Sequence, residues 1–154
     1  MLKAIFVERH GSDNLWEWLR VIRNECADFF THFKEEITPE MQAKYRRSYH
    51  ENVRHYLYTN EDGAIVGFSR LEYRDGKVYP TYGLRKAMRG QGYGYTLVAM
   101  AILAAGTDLA GDWREDNKAV QFIDTALGWR VAGPVDKDGV QPVVCAWPPP
   151  FVTL

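Results

Sequence analysis

Little in this sequence points to a stapled, metal-bound or membrane-spanning protein. It has only two cysteines, Cys26 and Cys145, and they show neither a disulfide framework nor metal-ligand spacing. His50 and His55 lack the i, i+4 spacing of a helical metal pair, so no metal is expected. No apolar run approaches the length that crosses a bilayer. The opening segment Met1–His10 has a short apolar stretch, soon broken by charge, that falls short of a signal-peptide core. An excess of charge is also missing: 19 Lys and Arg stand against 20 Asp and Glu, a net of −1. That balance argues against a protein dedicated to coating nucleic acid or an anionic membrane. Repeats, low-complexity tracts and linkers are absent. A soluble chain in a reducing, cytoplasmic setting is the expectation.

What is present is ordinary globular material. The 154 residues are 46% hydrophobic and 25% charged, enough for one domain that buries roughly 70% of its unfolded surface. Leu2–Val7 reads as a strand ahead of the breaker His10-Gly11-Ser12-Asp13. A helix follows from about Asn14, with Leu15, Trp18, Leu19 and Ile22 at helical spacing. Thr38-Pro39-Glu40 is a second start signal, with Thr38 as N-cap and Pro39 in the first turn, for a helix to about Asn52. Val53–Tyr58, Ala64–Tyr73 and Val78–Leu84 then read as strands. Asp62-Gly63 and Asp75-Gly76 fall between them, so the three form an antiparallel meander.

After the glycine-rich loop the chain is apolar almost all round from Tyr93 to Ala105, the pattern of a deeply buried helix. Thr107–Trp113 is a weaker strand, diluted by Gly111 and two aspartates. Asp116 or Asn117 caps a helix carrying Val120, Ile123, Ala126 and Leu127 that stops near Gly128. Trp129–Val131 and Pro142–Trp147 are closing strands, and residues 147–154 read as a loose Pro-rich tail. One α+β domain over residues 1–154 is the expected organisation.

The segment that carries chemistry is Leu84-Arg85-Lys86-Ala87-Met88-Arg89-Gly90-Gln91-Gly92-Tyr93-Gly94. A strand delivers the chain to three glycines at alternate positions, and an apolar helix starts directly afterwards. The first amides of a helix lack intrahelical partners, and the helix dipole makes that end partly positive. Glycines allow close backbone approach, so consecutive N–H groups can surround phosphate oxygens, with Arg85, Lys86 and Arg89 adding charge. Tight turning and helix–sheet packing would also account for the glycines. The spacing of Gly90, Gly92 and Gly94 departs from the dinucleotide fingerprint, and the P-loop Lys-Ser or Lys-Thr is missing.

Arg89-Gly90-Gln91-Gly92-Tyr93-Gly94 resembles the pyrophosphate motif of the GNAT family, the Gcn5-related N-acetyltransferases. The order of elements across nearly the full length is also similar to that family. So is the pair of an Asn at position 117 and Gly128-Trp129 at the far end of the same helix. The resemblance implies a central, mostly antiparallel mixed sheet, flanked by helices and splayed between strands four and five. It implies acetyl-CoA as co-substrate. Leu84 backbone groups would meet the pantetheine, amides from Arg89 to Gly94 the pyrophosphate, and Asn117 the pantetheine or the reacting region. It further implies acetyl transfer to a primary amine by direct attack.

Such chemistry needs a proton acceptor for the amine and an acid for the departing thiolate. The family often has a Tyr seven residues after the Asn; here that position is Asp124. Asp124 can serve as the acid only if burial lifts its pKa well above about 3.9, and a solvated carboxylate on the exposed helix face is the alternative. Glu72 and His50 are the candidate bases, each with a surface role as its alternative. Tyr79 and Tyr82 could line the acceptor site or simply pack. Val21-Ile22-Arg23-Asn24, Ile37–Gln42 and Tyr45 are loosely similar to a GNAT subgroup that acetylates amino sugars on nucleotides or protein N-termini. Lys44-Tyr45-Arg46-Arg47 suits a phosphate-bearing acceptor or a solvated helix face. The expected partner is a small amine-bearing metabolite, taken by a monomer or homodimer. A catalytically inactive CoA-binding or interaction module is the alternative. Acetylation of a protein N-terminus, a lysine or a modified nucleobase follows behind.

Overall fold

Both expected Asp-Gly turns join consecutive antiparallel strands in the computed structural model, which describes residues 1–31, 34–49 and 51–152. The chain opens with β1 (Lys3–Phe6), a one-turn helix α1 (Val7–His10) and α2 (Asp13–Glu25). The short α1 takes over at Val7, the last residue of the expected strand, and Gly11 of the expected breaker closes it in a left-handed conformation that costs glycine little. Helix α3 (Pro39–Ser48) starts where the signals put it: Met41 N–H donates to Thr38 Oγ1 at 3.2 Å. It ends before Asn52, because Asn52 is drawn into the sheet, where its carbonyl accepts from Tyr73 N–H and its amide donates to Tyr73 O. Thr38→Ala should therefore cost about 1 kcal/mol, read as a fall in Tm of a few degrees in thermal denaturation.

Strands β2 (Val53–Thr59), β3 (Ile65–Arg74) and β4 (Lys77–Leu84) form the meander. Asp75 and Gly76 both take positive φ, at 53° and 75°, as the two-residue turn twisted to match its strands requires. Helix α4 (Tyr93–Ala105), β5 (Leu109–Arg114), α5 (Lys118–Leu127), β6 (Arg130–Val131) and β7 (Val140–Cys145) complete the chain. The seven-stranded sheet runs β1-β2-β3-β4-β5-β7-β6. All neighbours are antiparallel except β4 and β5, which are parallel and register at one pair, Val78 with Leu109. Beyond that pair the two strands part.

Apolar layers cover both faces of the sheet. On one, Val7, Trp16, Leu19, Ile22 and Cys26 pack on Leu57 and Phe68. On the other, Val98, Ala101, Ile102 and Ala105 of α4 and Leu127 of α5 pack on Leu71, Val78 and Leu109. Helix α4 is not buried all round, since Tyr95 and Leu103 are about half exposed. Residues 147–152 are docked, in contrast to the loose tail expected: Trp147 N–H donates to Asp108 Oδ1 at 2.8 Å, and Trp147 and Phe151 pack on the core. Gly128 leaves the room into which Pro150 fits. Among the described residues, no helix is long and apolar enough to cross a membrane.

Candidate active site

The open edge of β4 and the start of α4 lie in succession along the chain, and together they define the site. Arg85 N–H bonds back to Val66 O on β3 at 2.8 Å. Successive amides of a strand point to opposite sides, so Leu84 N–H is directed away from β3, into the gap where β5 has parted. The Leu84 carbonyl is already occupied. It accepts from Cys26 Sγ at 3.2 Å and from Arg89 Nε and Nη2, each at 3.3 Å.

Gly90 and Gly92 take φ of 74° and 86°, and Gly92 is the N-cap of α4. A Cβ on either would meet no protein atom within 4 Å. These two glycines are thus required by backbone conformation, and their open side faces no other part of the protein. Amides of Gly90, Gln91, Gly92, Tyr93 and Gly94 have no acceptor among the described residues. Aimed outward at the positive end of a 13-residue helix, they form a set of donors shaped for an anion. Gly94 differs from the other two: a Cβ there would sit 3.0 Å from Ile123 Cδ1. Its small size serves the packing of α4 on α5.

The basic residues around the loop do not converge on those amides. Arg85 stacks on Trp18 and lies 3.5 Å from Glu25 Oε2. Arg89 donates to Glu25 O at 3.0 Å and stacks on Phe29, and Lys86 N–H donates to Glu25 Oε1 at 2.8 Å. Both arginines, expected beside the phosphates, instead fasten the loop to the end of α2. Gln91 turns back to Ala87 O.

Across the gap, Asp124 of α5 is 2% exposed. Tyr82 Oη lies 2.8 and 2.9 Å from its two oxygens, and Trp113 Nε1 donates to it at 2.8 Å. The exposed-face alternative is thereby corrected. Burial pushes its pKa up to about 6, against the lowering effect of the Trp113 and Tyr82 hydrogen bonds. Tyr82 itself is held well above the ordinary phenol range, first by burial and then by the Asp124 charge. One carboxyl thus joins β4, β5 and α5 just where the two strands separate.

Residues 16–128 match the model of the acetyltransferase (GNAT) family. The chain belongs to that family. Solved structures similar to this GNAT chain include a candidate phosphinothricin N-acetyltransferase, at 20% identity and a TM-score of 0.75, covering 95% of this chain and 98% of that one. Another is the spermidine N-acetyltransferase from Vibrio cholerae in complex with CoA and spermine, at 14% identity and TM-score 0.75, covering 94% and 95%. At these identities the likeness is one of fold. No curated protein sequence matches the chain.

Within the GNAT fold the remaining candidates fall as follows. Asn117 Oδ1 accepts from Val120 N–H at 3.3 Å, so it caps α5 and has only its amide group to offer a ligand. Glu72 lies on the α2 face of β3, 3.9 Å from Arg70 and opposite Tyr79 in register. His50 lies outside the described residues. Tyr79 and Tyr82, paired in the sequence reading, belong to opposite faces of β4, since odd and even strand positions alternate. Tyr82, Trp113 and Glu25 are the residues the sequence reading did not assign these roles. The signal for Asp124 was available: 120, 124 and 127 share one face of a helix, and Leu127 is fully buried.

Proposed function

We propose that this chain, as one unit over residues 1–154, transfers an acetyl group from acetyl-CoA to the primary amine of a small metabolite. The row of unpartnered amides at Gly90–Gly94, at the helix end beside the open edge of β4, is the observation that carries this reading. Those amides and the left-handed glycines fit a diphosphate, and the β4–β5 gap fits an extended arm lying along β4. Acetyl-CoA would supply an activated thioester. The chain's part is to orient it, to offer Leu84 N–H where negative charge develops on oxygen, and to manage two protons. Glu72 is the acceptor for the amine proton, with His50 as the other candidate. Asp124, with the Tyr82 hydroxyl it holds, carries the proton for the departing thiolate; with a pKa of about 6 it is half-protonated at about pH 6 and roughly one-tenth protonated at neutrality.

The likeness in fold to N-acetyltransferases whose descriptions name phosphinothricin and spermidine supports a small amine over a protein acceptor. A CoA-binding module without turnover is the second reading, favoured by the fully internal hydrogen bonding of Asp124. Calorimetric titration with acetyl-CoA, with NAD and ATP as controls, tests the first step. Selective binding with Kd in the micromolar range is expected, and equal or absent binding would overturn the cofactor assignment. Thiol release on adding an amine panel would then separate the enzyme from the module.

A further inference from the structure

Helix α2 buries one stripe against the sheet, and Trp16, Leu19 and Cys26 lie on it. Arg23 completes the same i, i+3, i+7, i+10 series. An arginine on a core-facing stripe is informative in a way that an exposed one is not. No carboxylate pairs with it among the described residues. Its guanidinium rests on the Phe30 ring at 4.5 Å. Burial depresses its pKa, and repulsion from Arg70 depresses it further. Two cations thus lie near enough to repel: Arg23, largely buried and without a carboxylate partner among the described residues, and Arg70, whose side chain is 28% exposed.

Arg70 is held there by a chain of hydrogen bonds. Its Nε donates to Tyr45 Oη at 3.1 Å, and Tyr45 Oη and His55 Nε2 are 2.9 Å apart. His55 Nδ1 is 2.7 Å from Glu8 Oε2, and His55 N–H donates to Glu8 Oε1 at 2.8 Å. Every link is satisfied with Nδ1–H of His55 donating to the Glu8 carboxylate and Arg70 N–H donating to Tyr45, while the direction of the Tyr45–His55 bond follows the tautomer of the ring. Burial raises the Glu8 pKa, but the His55 hydrogen bonds outweigh it and the net shift is downward, which keeps the chain's anionic end ionised. His55 is 4% exposed. This is a rigid mount for a guanidinium, and Glu72, at 3.9 Å, only partly offsets its charge. Arg70 stands opposite Thr81 of β4, the strand whose outer edge is open.

We infer that Arg23 and Arg70 form an oxyanion-recognising subsite, so that the acceptor is an amine that also carries a carboxylate, phosphinate or phosphate. The inference rests on the acetyltransferase reading. A guanidinium pair suits such groups through paired N–H donors. A polyamine would meet two like charges instead. Glu72, two residues from Arg70 on the same face, stands where the amine end of such a molecule would lie.

The test is an acetylation panel of matched pairs: α-amino acids beside their carboxamides, glucosamine 6-phosphate beside glucosamine, and spermidine. Each is measured with wild type, Arg23→Gln and Arg70→Gln. The anionic member of the best pair should have a kcat/KM at least about 100-fold above its neutral twin, the scale of a buried charge pair at 2–3 kcal/mol. Which pair responds tells carboxylate from phosphate. Either variant should bring that ratio within about fivefold of unity, through KM, and acetyl-CoA affinity should not change. Arg23→Gln removes repulsion, so its Tm should equal or exceed that of wild type. Preference for neutral amines or spermidine, or a ratio unaffected by both substitutions, would overturn the subsite while leaving the transferase standing. If acetyl-CoA does not bind, the transferase reading fails. Calorimetry with the same paired compounds then judges the subsite alone, and equal affinity within each pair rejects it.

Discussion

Gly92→Asp should leave the protein folded and lower its acetyl-CoA affinity about a hundredfold or more, close to 3 kcal/mol. Gly92 is the N-cap of α4 with φ of 86°, and no protein atom lies within 4 Å of where a Cβ would stand. The substitution therefore displaces nothing. Its cost to the fold is the left-handed conformation, about 1 kcal/mol, visible as a small drop in Tm. Its carboxylate, however, would occupy the space in front of the unpartnered amides and satisfy or repel what those amides attract. Gly94→Ala is the control. There the added carbon would press on Ile123 Cδ1 at 3.0 Å, a contact that a small side-chain shift relieves, while alanine favours the helix. Its affinity should stay within about threefold of wild type. Calorimetry and thermal denaturation on the two variants separate anion binding from packing. Unchanged affinity in a folded Gly92→Asp protein would remove the loop from the cofactor site.

Asp124→Asn should make the protein more stable and slower. The carboxyl titrates near 3.8 when unfolded and at about 6 in the fold. Because the folded value is the higher one, the unfolded chain gives up its proton first as pH rises through that window. The fold then bears a growing cost, complete above pH 6, of up to about 3 kcal/mol for a shift of about two units. Below pH 4 both states are protonated and the cost vanishes. Asparagine cannot ionise, so the variant's Tm should exceed that of wild type by several degrees at pH 8, and the difference should close towards pH 4. Turnover should fall by about 10²-fold or more, the usual worth of a placed acid, and the limb of the pH–rate profile near 6 should disappear. A variant that gains stability yet keeps its rate and profile would make Asp124 a brace between strands and nothing more.

What could be read from the residues alone was set by local chemistry. Thr38-Pro39 marked the start of α3, and Gly92 and Gly106 bound α4 at the residues expected, each in the left-handed conformation. β5 read weakly because Gly111 and Asp112 dilute it. The fold explains that dilution in part, since the Trp129 ring lies 3.8 Å from where a Gly111 Cβ would be. The directions of Arg85 and Arg89 were not legible, because their partner Glu25 lies some sixty residues earlier and local pattern carries no such pairing. The Tyr82–Asp124–Trp113 cluster was hidden for the same reason, and the residues alone left Asp124 open between a buried acid and a solvated carboxylate on the exposed helix face.

The attachment of the glycine loop to α2 has a mechanical meaning. Glu25 takes Arg85 and Lys86 through its side chain and Arg89 through its carbonyl, and Cys26 reaches Leu84 O. Arg23 stands two residues earlier on that helix. The end of α2 that carries Arg23 therefore also fixes the loop's donors in place, so that little ordering is left when an anion arrives.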